Sequence, residues 1–148
     1  MPDRSERLLI LAGYLFMVGS AVHLFDHLRR GQGSVTEELY WVGNLALVLQ
    51  VVVVTLVLTR HRLAPLVGAA AGFPLALGFT AAHWLPTWSS LSDSFTEDGA
   101  STFSYLASAM EIAGALAVGL AGLALVRRRG LASFASPAIT ARSSTGTG

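Results

Sequence analysis

Polar and apolar positions alternate along this chain in blocks rather than residue by residue. Four apolar stretches, at about 8–28, 39–59, 65–84 and 103–126, are separated by short segments that hold most of the charge. Each is near the ~20 residues that a helix needs to cross a hydrocarbon layer. Lipid cannot satisfy open backbone groups, so a helix is the expected form of each. The expected fold is all-α: a four-transmembrane-helix bundle over residues 1–130, followed by a disordered cytoplasmic tail over 131–148 that is rich in Ser, Thr, Ala and Gly.

Within each stretch, helical spacing gathers small and polar residues into a stripe. In the first span the stripe is Phe16, Gly19, Ser20, His23, Asp26 and His27. In the second it is Asn44, Val51 and Thr55, with Gln50 off it by about a third of a turn. In the third it is Gly68, Gly72, Ala76, Thr80 and His83, and in the fourth Ser104, Ser108, Glu111, Ala115, Gly119 and Gly122. Membrane helices pack through small residues and turn polar ones inward, so these stripes are the expected interior. Gly68 and Gly72 form a G-x-x-x-G pair, the candidate face for a second copy or a larger membrane complex. Pro74 is expected to kink the third span.

Charge sets the direction. Arg4, Arg7, Arg60, Arg62, Arg127, Arg128, Arg129 and Arg142 fall on one side of the four spans, and only Arg29 and Arg30 on the other. The positive-inside bias then predicts an N-in, C-in topology. The loop between spans three and four agrees, carrying Asp93, Glu97 and Asp98 and no basic residue. Tyr40, Trp41, Trp84, Trp88 and Tyr105 fall near the outer boundary as an aromatic belt. One alternative concerns the first span: Arg4, Arg7, an apolar core and Gly19-Ser20-Ala21 also fit a cleaved signal peptide. Apolar character continues through Val22, Leu24 and Phe25, so a retained span is the expectation.

Composition narrows the chemistry. Of 148 residues, 53% are hydrophobic and only 13% charged, about half the share of a soluble domain. With no cysteine, thiolate metal ligands, iron–sulfur clusters and disulfides are excluded. A net charge of +1 and scattered basic residues give no sign of a nucleic-acid partner. All ten basic residues are Arg, and Ala, Gly, Val and Leu are abundant; this composition suggests a GC-rich bacterial genome and hence a bacterial cytoplasmic membrane. No H-E-x-x-H, G-x-S-x-G or P-loop occurs.

The topology collects ionisable residues at the outer end. At ~1.5 Å per residue, His27 and His83 lie within ~2 Å of the boundary, Asp26 ~3 Å deep, His23 and Asn44 ~8 Å, and Glu111 ~12 Å. His23 and His27 are spaced i, i+4, so both imidazoles leave one helix face. A third histidine and a carboxylate from other helices would complete a metal site: His23, His27, His83, Asp26 and Glu111. Such a set suits zinc, iron, manganese or copper, and an open coordination position would allow water activation. The arrangement resembles that of membrane zinc hydrolases of the alkaline ceramidase type, which combine an H-x-x-x-H pair with a lone His and an Asp. The resemblance covers His23, His27, His83 and Asp26, in a chain with fewer spans than those enzymes have, and is one of chemistry.

Other readings start from the same residues. Glu111 and Asp26 are the candidate catalytic carboxylates. His27 and His83, at similar depth on different helices, are candidate axial ligands of a haem. Glu111 alone, so deep in a span, is also what a proton-coupled carrier would use. An accessory subunit of a larger membrane complex is the third reading. The polar and aromatic loop over 88–95 is expected to be a connector, with a lid over the site as its alternative.

Overall fold

The computed structural model describes residues 3–97 and 99–135 of the chain. It is all-helical, with no strand among the described residues. Helices α1 (Arg4–Arg30), α2 (Glu37–Leu58), α3 (Ala64–Trp84) and α4 (Thr102–Arg129) coincide with the four expected spans and extend several of them by a turn. All four are long and apolar enough to cross a membrane, with mean hydropathy between 1.5 and 2.3 over their central windows. A short α5 (Ala132–Ala135) follows, with Phe134 buried. This helix falls within the tail expected to be disordered over 131–148, of which residues 136–148 lie outside the described residues.

The helix ends are written in the sequence. Asp3 and Glu6 form a reciprocal capping box at the start of α1. Thr36 and Ser101 cap α2 and α4 through their hydroxyls, at 3.2 Å from Leu39 N and Ser104 N. Pro65 opens α3, where its missing N–H costs nothing. Pro74 lies within α3, which runs from Ala64 to Trp84 without interruption.

Helix α4 is the centre of the bundle, packed between α1 and α3, while α2 sits to one side against α1 and α3. Glycines set the α4 contacts. A Cβ on Gly114 would lie 2.5 Å from Phe16 Cα, and one on Gly19 would lie 2.6 Å from Met110 O. On the other side, Gly72 abuts Ala115 O and Gly122 abuts Pro65 O, each at 2.6 Å from an added Cβ. Backbones therefore approach to contact without side chains between them, as small-residue stripes allow. The Gly68/Gly72 face, expected to meet a partner chain, packs instead against α4 of the same chain. Gly19-Ser20-Ala21, the alternative cleavage point, lies within continuous α1, with Gly19 against the α4 backbone.

The stripes expected on α1, α3 and α4 face inward. Phe16, Gly19, Ser20, His23 and Asp26 are buried, as are Gly68, Gly72, Ala76 and His83, and all six members of the α4 stripe. The α2 stripe is turned around. Gln50, Val53 and Val57 are the buried positions, and Asn44, Val51 and Thr55 are exposed. Two physical reasons account for this. Nearly every α2 residue is apolar, so its sequence offers little contrast between faces. Asn44 also satisfies its amide on its own helix, donating to Tyr40 O at 2.7 Å, and does not need the interior.

Candidate metal centre

Near the ends of α1 and α3, three histidines face one another. His23 lies on α1 one turn before His27, and His83 comes from the last turn of α3. The His23 ring centroid is 4.7 Å from that of His27 and 4.7 Å from that of His83; His27 and His83 are 5.8 Å apart. One ligand nitrogen from each lies within 4.8 Å of the others, so the group could hold a metal ion. At a Zn–N distance of ~2.0 Å, a tetrahedral ion would draw these nitrogens to roughly 3.3 Å from one another.

The hydrogen-bond partners decide which nitrogens are available. His23 Nδ1 contacts Glu111 Oε2, with one proton shared between imidazole and carboxyl. Its Nε2 is buried and has no partner among the described residues. An imidazole nitrogen sealed from water with nothing to bond is costly, and a Lewis acid is what would relieve it. His83 Nδ1 lies 3.2 Å from the Asp93 carbonyl and 3.4 Å from its Oδ2, which places that proton on the loop side and leaves Nε2 for the cluster. Both histidines thus carry the acceptor behind the ring that orients metal ligands. His27 differs: its Nδ1 accepts from Arg30 Nη2 at 3.2 Å. Ligation through Nε2 would put a proton on Nδ1 and require Arg30 to move away.

The five expected site residues separate into two groups. The histidines come together. Glu111, 3% exposed, stands behind His23, flanked by Ser20 and Gln50. Asp26 is placed with the arginines: its Oδ1 accepts from Arg29 Nε and Nη2 at 3.1 and 2.8 Å. Its Oδ2 lies 3.2 Å from Arg30 Nε, an ion pair without hydrogen-bond alignment. Asn44 is outside the site altogether.

The loop between α3 and α4 folds over His83. Asp93 N and Phe95 N donate to Ala82 O and His83 O, each at 2.9 Å, and fold the chain back over the end of α3. Phe95, 2% exposed, stacks on His83 at 4.7 Å between centroids and 27° between planes. The Arg30 guanidinium carbon lies 5.2 Å from the Phe95 ring centroid, and Tyr105 Oη donates to the Phe95 carbonyl at 2.7 Å. Phe95 also forms part of the wall of a pocket of about 410 Å³, with Arg29, Arg30, Ser34, Asp93 and Ser101. The segment expected to be a connector is therefore the cover of His83.

Arg30, Asp93 and Phe95 were not among the expected site residues. Asp93 accepts from Arg30 Nη1 at 2.9 Å and from Nη2, and thereby bridges the loop to α1. Burial alone would raise its carboxyl; the His83 and Arg30 hydrogen bonds outweigh that and hold it well below the usual carboxylate range. A folded pKa below the unfolded one stabilises at neutral pH; the gain begins to shrink near pH 4, about the unfolded value, and is lost as pH falls from there through the folded value. Asp93→Ala is expected to cost about 3 kcal/mol, the low end for a broken buried pair, because it leaves half-buried Arg30 with Asp26 alone. Unfolding in detergent at several pH values tests this. The difference from wild type should be constant above about pH 5 and shrink below about pH 4. A difference that is small at pH 7, or that grows in acid, would refute the bridge.

The chain matches no protein-family model, no curated protein and no solved structure, so its function is read from this geometry alone.

Proposed function

We propose that this protein is an integral membrane metalloprotein of four spans, in which His23, His27 and His83 hold a zinc ion close to the outer face. The single observation that carries the reading is the buried, unpartnered Nε2 of His23, on a ring that lies 4.7 Å from two further histidines. Three imidazoles, two of them with carbonyl or carboxylate acceptors behind the ring, are a zinc ligand set that leaves a coordination position open. Iron is the second choice for the same donors. Bound there, the metal would supply a Lewis acid and a water acidified toward neutral pH, the chemistry of a hydrolase. The chain's own contributions follow from its contacts. Glu111 fixes the His23 tautomer, Asp93 fixes that of His83, and Phe95 excludes bulk water between the pocket and the histidines.

The topology supports an outer-face location. Of the ten arginines only Arg29 and Arg30 fall at the histidine end, and Asp26 and Asp93 pair with both. The cytoplasmic end keeps the remaining arginines, consistent with N-in and C-in orientation. The Arg-only, GC-type composition supports a bacterial cytoplasmic membrane.

The geometry favours a single ion over haem. A porphyrin between His27 and His83 would occupy the space of the His23 ring, which lies 4.7 Å from both. The carrier reading has one favourable feature, a chain of contacts from Glu111 through His23 and His83 to Asp93. Proton-coupled transport needs a route on both sides of Glu111, and toward the other end the core is Leu9, Ala12, Phe16, Val118 and Leu125.

The test is metal content by mass spectrometry on detergent-purified protein made without a His tag. About one zinc per chain is expected, falling to background in His83→Ala. Clean, folded protein with no transition metal, even after incubation with zinc, would refute the proposal.

A further inference from the structure

The opposite end of the bundle holds a second pocket, of about 240 Å³, between the start of α1, the α2–α3 turn and the end of α4. Its floor is apolar, formed by Leu9, Ile10, Val57 and Leu125, and its rim is basic, formed by Arg60, His61, Arg62 and Arg129. Among the described residues Glu6 is the acid on this pocket, and it is already bonded to Arg129. With Glu6 taken by Arg129, no carboxylate of this lining is left for Arg60.

The turn that presents Arg60 and Arg62 is costly to build. His61 N donates to Leu56 O at 2.9 Å and Arg60 N to Val57 O at 3.1 Å, the pattern of a Schellman cap. That cap puts Arg60 in the left-handed region, at φ 55°, where glycine or asparagine is favoured. Arg60 is the one non-glycine residue with positive φ among the described residues. A strained residue where a cheaper one would fold better points to a use for its side chain. His61 braces the turn, its Nδ1 accepting from Leu63 N at 3.2 Å.

We infer that this pocket binds the phosphate of an anionic phospholipid, with Arg60, Arg62 and Arg129 on the headgroup and the Leu9–Val57–Leu125 wall against the first carbons of its chains. Basic pockets between helices at a membrane surface recognise anionic headgroups in this way. Guanidinium forks suit phosphate oxygens, and the apolar floor separates a lipid from a free phosphate. The inference rests on the membrane reading above and is independent of the metal.

The experiment is thermal unfolding of the full chain in nanodiscs. One set is phosphatidylcholine alone, one contains about a third phosphatidylglycerol, and one is phosphatidylcholine with millimolar inorganic phosphate. The anionic lipid is expected to raise Tm by about 3 °C or more, and free phosphate to leave it unchanged. Arg60→Gly supplies the decisive comparison, since it removes the charge and relieves the backbone. Its Tm in phosphatidylcholine should be equal to or above that of wild type, while the shift with phosphatidylglycerol is at least halved. A full shift in Arg60→Gly, or no shift in wild type, overturns the lipid site. An equal shift with inorganic phosphate overturns the lipid assignment in favour of a soluble anion. A chain that fails to float with the lipid overturns the membrane reading instead.

Discussion

His23→Ala should weaken zinc binding by more than about 100-fold, and Glu111→Gln by about 10- to 100-fold, with helix content unchanged in both. The larger loss follows from position. The His23 ring is the member of the cluster closest to both others, and its Nε2 is the buried nitrogen that has no other partner. Removing it leaves two ligands on separate helices, one of which is also bonded to Arg30. Glu111 acts through His23 in this reading. Glutamine keeps the shape and an acceptor oxygen but cannot take up the negative charge with which a carboxylate would strengthen the imidazole as a metal ligand. Competition with a chelating dye in detergent measures both constants. If Glu111→Gln loses as much affinity as His23→Ala, Glu111 is itself a ligand, as the spacing of residues along the spans first suggested. If His23→Ala binds as wild type does, the centre lies elsewhere.

The parts of this arrangement that could be read from sequence are those with contrast along a helix. On α1, α3 and α4, glycine, serine and histidine stand out from leucine and valine at helical spacing, and the buried faces follow from that spacing alone. The three histidines come together because α1 and α3 end at the same level and both pack on α4. Helix α2 has no such contrast, and its one conspicuous polar residue, Asn44, is satisfied by its own backbone. Depth and stripe also placed Asp26 among the metal ligands. They could not show that Arg29 and Arg30, three and four residues on, return along the helix to claim its carboxylate. The signal for that was present in the charge pattern: two arginines at the end where the positive-inside bias predicts none. Their most economical explanation is pairing with acids at the same end, and Asp26 and Asp93 are those acids. Phe95 had no comparable signal, because loop residues carry no periodicity and its burial depends on the fold-back of the chain over His83.

Gly114→Ala and Gly72→Ala are each expected to destabilise the bundle by about 3 kcal/mol, near the upper end for overpacking, and the corresponding valines by more. The obstacle in both cases is backbone. The new methyl group would meet Phe16 Cα at 2.5 Å in one helix pair and Ala115 O at 2.6 Å in the other. A flexible side chain could rotate away from such a contact, but here a whole helix must move. Gly43 and Gly78 are the controls. Nothing lies within 4 Å of a Cβ at either, and both are helical, so alanine there should be neutral or stabilise by up to about 1 kcal/mol. Unfolding in mixed micelles separates the two classes, and a neutral Gly114→Ala would show that α1 and α4 do not cross where these contacts place them. The same substitution also joins the packing to the site. Gly114 is one helical turn from Glu111, and Gly19, which abuts Met110 O, is one turn from His23. Forcing α1 away from α4 must therefore lengthen the His23–Glu111 contact, so Gly114→Ala should lose zinc affinity along with stability. Gly72→Ala, which separates α3 from α4 at a level far from the histidines, should lose stability with a smaller change in affinity.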